Sequence, residues 1–268
     1  MPELPEVNTV VLALAHHFAG DEVIGWRPCC KKLRKELPDK MQTEKILGKT
    51  IKRIFRRAKS IYFEFTGKYY LHIHLGMTGF FALTKQIKKY EKHEHLRLIL
   101  KSGKILSFFD PRKFGVIEIL AQLPKEVPEP FATSLTFEHL AALCNKSNRS
   151  VKSLIMDQKK IAGLGNIYAN EALFKAGIHP QTPASELGSK QIGKMYNSIL
   201  QVIDQAIKSG LKSLKPDYKI NRNTAHFEIE TLVYGQTGEL CPKCKADKIK
   251  KIIVGGRGTF YCPVCQPL

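Results

Sequence analysis

Two incompatible hydrophobic periods divide this 268-residue chain. Between Val23 and about Leu120 apolar and polar residues alternate in short runs, among them Ile61-Tyr62-Phe63-Glu64-Phe65, Tyr70-Leu71-His72-Ile73-His74-Leu75, Leu96-Arg97-Leu98-Ile99-Leu100 and Val116-Ile117-Glu118-Ile119-Leu120. Gly67, Gly76, Gly79 and Gly103 border these runs. A two-residue period places one side of each segment on a core, which predicts an antiparallel β-domain, best built as two packed sheets. From Phe137 the apolar spacing becomes helical, over segments near 137–146, 151–156, 166–176 and 189–209. Pro124, Pro128 and Pro130, with Glu126 and Glu129 among them, mark a linker at the change of period. Ahead of the β-region, Pro5 at a first helical position, the spaced Val7, Val10, Val11, Leu14 and Phe18, and Gly20 predict an amphipathic helix.

A third element is written in cysteines. Cys241, Cys244, Cys262 and Cys265 form two CxxC pairs, and each pair presents two thiolates on a tight turn. Four thiolates complete a tetrahedral zinc site with no open position, so the metal is structural. The hairpin between the pairs is expected to run Lys251-Ile252-Ile253-Val254 and Thr259-Phe260-Tyr261, joined through Gly255 to Gly258. Cys29, Cys30 and Cys144 have no ligand spacing and read as ordinary thiols. The whole is an α+β multidomain chain: 1–130 an N-terminal helix with a β-sandwich, 131–225 helical, and 226–268 a zinc-ribbon hairpin.

Lys and Arg exceed Asp and Glu by 43 to 24, a formal charge of +19. Such an excess points to a polyanion, nucleic acid before anionic membrane. No apolar run approaches the roughly 20 residues that span a bilayer. The apolar stretch from Val7 to Ala19 has Glu3 and Glu6 before it and no Lys or Arg, so it lacks a signal peptide's basic flank. A cytosolic protein is expected.

Two positions suggest chemistry. Removing Met1 in front of Pro2 leaves a secondary amine, and an α-amino group titrates near ~8, low enough for a nucleophile at neutral pH. Its adduct with a sugar carbon is a charged iminium, an electron sink, and Glu3 supplies a proton donor beside it. Met-Pro starts also arise by chance. Gly163-Leu164-Gly165 forms a turn into a helix with Asn166 expected at its N-cap, Gly177 at its end and Pro180 beyond. The helix start suits a phosphate, to which Asn166 could add its amide, and a plain capping role is equally compatible.

Taken together, Pro2-Glu3-Leu4-Pro5-Glu6-Val7, His74-Leu75-Gly76-Met77-Thr78-Gly79, Asp110-Pro111-Arg112-Lys113-Phe114-Gly115, Gly163-Leu164-Gly165-Asn166-Ile167-Tyr168-Ala169 and the four-cysteine unit closely resemble the bacterial formamidopyrimidine-DNA glycosylases, over nearly the whole chain. The resemblance implies a helix-two-turn-helix domain and a bifunctional enzyme on damaged double-stranded DNA. Such an enzyme excises oxidised purines, such as 8-oxoguanine and formamidopyrimidines, and cuts the abasic strand by β- and δ-elimination. It implies Pro2 as nucleophile, Glu3 as acid, and Lys59 and Arg257 as further catalytic groups. It implies Met77 and Phe114 as fillers of the gap left by a flipped base, with Arg112 reading the widowed cytosine, and His74, His93, Lys152 and Asn166 as holders of DNA phosphates. A zinc-loaded monomer in the bacterial cytoplasm, at the nucleoid, completes the implied picture.

One segment departs from the family. Between Gly210 and Phe227, where many members carry a glycine-rich loop that closes over 8-oxoguanine, this chain reads Leu211-Lys212-Ser213-Leu214-Lys215-Pro216-Asp217-Tyr218-Lys219-Ile220-Asn221-Arg222-Asn223-Thr224. A stiffer, basic loop puts the lesion preference in doubt and leaves the catalytic residues untouched. Two rivals remain: an endonuclease VIII-like glycosylase for oxidised pyrimidines, and a non-enzymatic zinc-ribbon DNA binder. The Pro-Glu-Leu-Pro start and the Asp110 to Gly115 block oppose the first, and the second leaves Pro2, Glu3 and the wedges unexplained.

Overall fold

The computed structural model describes residues 2–86, 89–131, 134–214, 220–225, 227 and 230–268. Met1 and residues 215–219 of the departing loop lie outside the described residues. The chain forms two compact units, one of 1–126 with 209–227, the other of 127–208 with 228–268.

In the first unit, helix α1 (Leu4–Phe18) starts at Glu3, whose backbone N–H donates to Glu6 Oε2 at 2.7 Å. Val7, Val10, Leu14 and Phe18 fall on one buried face because they recur at three- and four-residue spacing. The helix ends before Gly20, which takes a φ of +86° that glycine adopts without strain. A short helix, α2 (Lys40–Thr43), lies between strands β1 (Glu22–Pro28) and β2 (Lys49–Arg57). The remaining strands are β3 (Ser60–Phe65), β4 (Tyr70–His74), β5 (Phe80–Thr84), β6 (Glu94–Leu100), β7 (Ile105–Phe109) and β8 (Val116–Leu120).

The expected sandwich has its two four-stranded halves joined. All strand neighbours are antiparallel, in the order β5-β7-β6-β1-β2-β3-β4-β8, and β1 meets β2 through only Glu22–Thr50 and Val23–Lys49. A register shift between Val23 and Gly25 bends β1, so its remaining length pairs with β6 instead. Gly25 eases that bend, since a Cβ would lie 3.1 Å from the Ile99 side chain, which would have to give way by a few tenths of an ångström. Inward residues of both halves, such as Leu98 and Phe108 on one and Phe63 and Ile73 on the other, share a single core with α1. Each such fully buried side chain contributes roughly 1.5–3 kcal/mol.

The second unit contains α3 (Phe137–Asn145), α4 (Val151–Ile155), α5 (Asn166–Ala176), most of α6 (Ser189–Ser213) and the hairpin of β9 (Lys250–Val254) and β10 (Arg257–Tyr261). The helical segments match the apolar spacing, with two corrections in detail. The N-cap of α5 is Gly165, and Asn166 is already the first helical residue. The hairpin turn is only Gly255-Gly256, with φ of +57° and +71°, so Arg257 opens β10 opposite Val254 instead of sitting in the loop. Two consecutive positive φ values make the primed turn whose twist matches a β-hairpin, which is why two glycines are needed there. At its other end α5 closes as the sequence predicts, on left-handed Gly177, with Ile178 N–H returning to Leu173 O.

Among the described residues no helix is long and apolar enough to cross a membrane.

Candidate active site

Pro2 and Glu3 are buried at the start of α1, so the N-terminus is held at a fixed place in the first unit. Lys59 occupies the tight β2–β3 turn, between the paired Arg57 and Ser60, with Ala58 before it at a φ of +52°. It is only 8% exposed despite its charge. Ser60 pairs with His74 across β3–β4, which brings the Lys59 charge to bear on His74.

His74 is the most perturbed group of this cluster. Burial first, then the charges of His72, Lys59 and Arg34, push its imidazole down to about 4 from 6.5. The backbone N–H of Gly76 donates to its Nδ1 at 3.0 Å. The ring is therefore neutral at pH 7 with its proton on Nε2, a donor suited to a phosphate oxygen that adds no charge of its own.

Two loops of the same unit carry the apolar and cationic tips. Met77 lies between β4 and β5 and is 38% exposed; Phe114 lies between β7 and β8 and is 41% exposed. The guanidinium of Arg112 stacks 4.6 Å from the Phe114 ring centre, so these two side chains form one preassembled element. Gly76, at a φ of +64°, lies against the backbone of Phe114, and a Cβ there would come 2.6 Å from its carbonyl carbon. The loops thus touch backbone to backbone. His93, exposed and at a φ of +67°, accepts the N–H of Asp110 on its carbonyl at 3.0 Å and so belongs to the same neighbourhood.

The second unit gathers the other three residues around the zinc hairpin. Lys152, almost wholly buried on α4, donates to Thr259 Oγ1 at 2.6 Å and Gly258 O at 3.2 Å. Asn166 Nδ2 donates to the same Gly258 carbonyl at 3.0 Å. Arg257 is exposed, and with Arg149, Lys152 and Gln158 it lines a cavity of about 340 Å³. Asp157 also lines it and pairs with Arg149 at 2.9 Å, so Arg257 is the exposed cation there with the most freedom to meet an oxyanion such as phosphate. Gln158 also clamps the turn before α5, accepting from Gly163 N–H at 3.0 Å and donating to Leu164 O at 2.6 Å.

The four cysteine sulfurs lie within 4.8 Å of one another, with Cys241 to Cys265 at 3.8 Å and Cys244 to Cys262 at 3.6 Å. A tetrahedron of about 2.3 Å zinc–sulfur bonds needs edges of about 3.8 Å, so the cluster fits zinc closely. Backbone hydrogen bonding from Ala246 pulls the Cys244 thiol down to about 6, which provides a thiolate for the first metal bond. Cys29, Cys30 and Cys144 stand outside this cluster.

Residues 1–117 match the formamidopyrimidine-DNA glycosylase N-terminal domain, 127–217 its H2TH domain, and 238–268 the zinc finger found in FPG and IleRS. A formamidopyrimidine-DNA glycosylase of Geobacter sulfurreducens is 37% identical over 276 residues, covering 99% of this chain and all of its own. The chain belongs to the formamidopyrimidine-DNA glycosylase family. Another member, from Bacillus licheniformis, is 36% identical over 99% of both chains. The Lactococcus lactis Fpg in complex with abasic-site DNA superposes with a TM-score of 0.89 at 34% identity, over 99% of this chain and all of that one. The same bacterial protein has been solved with DNA containing N7-benzyl-Fapy-dG and with DNA containing an oxidised pyrimidine. The zinc-finger match falls on the four clustered thiols, so Cys241, Cys244, Cys262 and Cys265 are the residues that would hold one zinc ion.

Several residues that shape the site escape a sequence reading. Glu171 on α5 accepts from three consecutive backbone N–H groups, Leu232, Val233 and Tyr234, at 2.9–3.0 Å. Asn170 Oδ1 accepts from Phe260 N–H at 2.8 Å and ties α5 to β10. Both sit on the same helix as Asn166 and differ from surface polar residues only by their burial, which the sequence does not display. Arg34, whose charge reaches His74, was hidden in the run Lys31-Lys32-Leu33-Arg34-Lys35.

Proposed function

We propose that this chain is a bifunctional DNA glycosylase and abasic-site lyase of base excision repair, acting on oxidised purines in duplex DNA. The observation that carries the reading is the first unit itself. It holds a buried Pro2-Glu3 start and, on two touching loops, the exposed trio Met77, Arg112 and Phe114. A base within a duplex is out of reach, so the enzyme turns it out and fills the gap. Met77 and Phe114 supply the apolar filling, and Arg112 offers its donors to the widowed base.

The freed Pro2 nitrogen attacks C1′ and the damaged base departs, while Glu3 protonates the opening sugar. The resulting iminium acidifies the C2′ proton; its loss expels the 3′ phosphate, and a second elimination expels the 5′ phosphate. Lys59, desolvated in its turn, serves proton transfer and holds a phosphate near His74. Neutral His74 donates through Nε2, and His93 adds a further contact. Lys152, Asn166 and Arg257 bind phosphates in the second unit, Arg257 also assisting δ-elimination. The division into 1–130, 131–225 and 226–268 then reads as catalysis, strand holding and a zinc-braced clamp, working as a monomer. The bacterial relatives support a place in the bacterial cytoplasm, and a duplex-DNA substrate would bring the enzyme to the nucleoid.

Borohydride trapping on a duplex with 8-oxoguanine opposite cytosine tests the reading. A covalent complex that maps to Pro2 is expected, with mass spectrometry showing Pro2 first in the active chain. Equal activity with Met1 retained, or normal excision by both Pro2→Gly and Glu3→Gln, overturns the assigned roles. A second reading, preference for oxidised pyrimidines, stays open because the 211–224 sequence departs from the loop that closes over 8-oxoguanine in many members. Faster cleavage of thymine glycol than of 8-oxoguanine would establish it.

A further inference from the structure

We propose that Asp110 is a positioning residue that latches the Met77 loop to the Arg112–Phe114 loop and so sets the wedge for entry into the duplex. The proposal rests on reading those three side chains as gap fillers. Asp110 is 0% exposed. Its Oδ1 accepts from Thr78 Oγ1 at 2.6 Å and from Arg112 N–H at 3.2 Å, and its Oδ2 accepts from Gly115 N–H at 2.7 Å. Arg112 N–H lies 3.3 Å from Thr78 Oγ1 as well, so Thr78 and Arg112 meet at the same oxygen. The Asp110 backbone continues the tie: its carbonyl accepts from His95 Nε2 at 2.9 Å, and its N–H donates to His93 O at 3.0 Å.

A turn-forming aspartate bonds its own loop two residues ahead, which accounts for Arg112 N–H. It does not account for Thr78, 32 residues earlier on the neighbouring loop. That long-range bond makes one carboxyl group common to both loops. The glycines carry the same design, since Gly76 lets the Phe114 backbone approach, and a Cβ at Gly115 would lie 3.2 Å from Asp110 Oδ2. Met77 and Phe114 are exposed yet carried on backbone that cannot shift independently. A filler held this way costs little ordering when it enters the stack.

All three partners of the Asp110 side chain, the Thr78 hydroxyl and the Arg112 and Gly115 N–H groups, donate to it, so an amide cannot accept from all of them. In Asp110→Asn, an NH2 group facing Thr78 reverses that bond and leaves the Arg112 N–H only its longer 3.3 Å contact with Thr78 Oγ1, whereas an NH2 group facing Gly115 meets a backbone donor. Thr78→Val removes the inter-loop bond with little change in shape, and Thr78→Ser retains it. Excision demands insertion against a paired base, whereas an abasic site offers no base to evict. The experiment compares single-turnover excision of 8-oxoguanine opposite cytosine with strand cleavage at a pre-formed abasic site in the same duplex. Melting temperature reports folding, and 2-aminopurine beside the lesion reports filler insertion. Expected are an at least tenfold slower excision and slower 2-aminopurine change for Asp110→Asn and Thr78→Val, with abasic-site cleavage within threefold of the parent and Thr78→Ser like the parent. Equal loss on both substrates in folded variants, or unchanged excision, overturns the latch. If Asp110→Asn does not fold, Thr78→Val decides alone. A parent that neither excises nor cleaves refutes the proposed function, a result distinct from an active parent with indifferent variants.

Discussion

Gly210 lies within α6 where the helix meets α1, and it is a position at which adding one methyl group should do measurable harm. A Cβ there would lie 2.2 Å from Thr9 Oγ1 and 2.9 Å from the Phe227 ring. Alanine gains up to about 1 kcal/mol of helix propensity over glycine. Against that, the Thr9 hydroxyl must move by more than an ångström, breaking its 3.1 Å bond to Pro5 O, worth about 1 kcal/mol. The Phe227 ring must also retreat, and overpacking of this kind costs about 1–3 kcal/mol. The net expectation for Gly210→Ala is destabilisation of about 1–3 kcal/mol, or a fall in melting temperature of about 2–4 °C per kcal/mol. Pro5 O is in the first turn of α1, so the shift is delivered close to Pro2 and excision should slow with it. Thermal and urea unfolding of zinc-loaded protein measure the stability, and a double-mutant cycle with Thr9→Ala isolates the clash. Thr9→Ala removes the nearest atom and should recover at least half of the loss. A Gly210→Ala protein as stable as the parent, or no recovery in the double variant, would refute the packing argument.

The His74 imidazole, held at about 4 in the fold against 6.5 outside it, makes the unfolded chain the better proton binder between those values. Stability should therefore rise with pH from 4 to 6.5 and be complete above 6.5, by at most roughly 3 kcal/mol; urea unfolding of the parent and His74→Gln across that range checks it, and a constant difference between the two would count against it. Removing zinc should release one ion per chain, abolish the β9–β10 hairpin and with it Arg257-dependent DNA binding, as read by a metal-indicator titration and a salt-dependent binding assay; retention of binding after full zinc release would contradict the clamp. Glu171→Ala should take the acceptor from three backbone N–H groups, that of Val233 buried and those of Leu232 and Tyr234 partly so, and cost roughly 1–3 kcal/mol, with faster hydrogen exchange at Leu232, Val233 and Tyr234; unchanged exchange there would exclude the anchoring role.

What the sequence by itself determined are the features whose cause lies within a few residues. Alternation from Val23 to Leu120, the helical spacing of α1 and α3 to α6, the left-handed cap at Gly177 and the two CxxC pairs are all local, because period, φ preference and ligand spacing belong to neighbouring residues. The exposed loops that carry Met77 and Phe114, which we propose as wedges, were legible for the same reason, as short apolar-tipped segments beside glycines. What only the tertiary structure decided depends on partners far away in the chain. The bend at Gly25 hands β1 from β2 to β6 because Ile99 crosses it, and Arg257 enters a strand because Val254 pairs with it. Asn166 does not cap its helix, and its amide bonds Gly258, 92 residues on. Asp110 and Glu171 look like ordinary polar residues, and the lowered titration of His74 is invisible, until burial removes water and leaves specific partners in its place. A buried polar group is costly unless it is bonded, so its role is set by whichever groups the fold brings to it, and a linear string does not record that meeting.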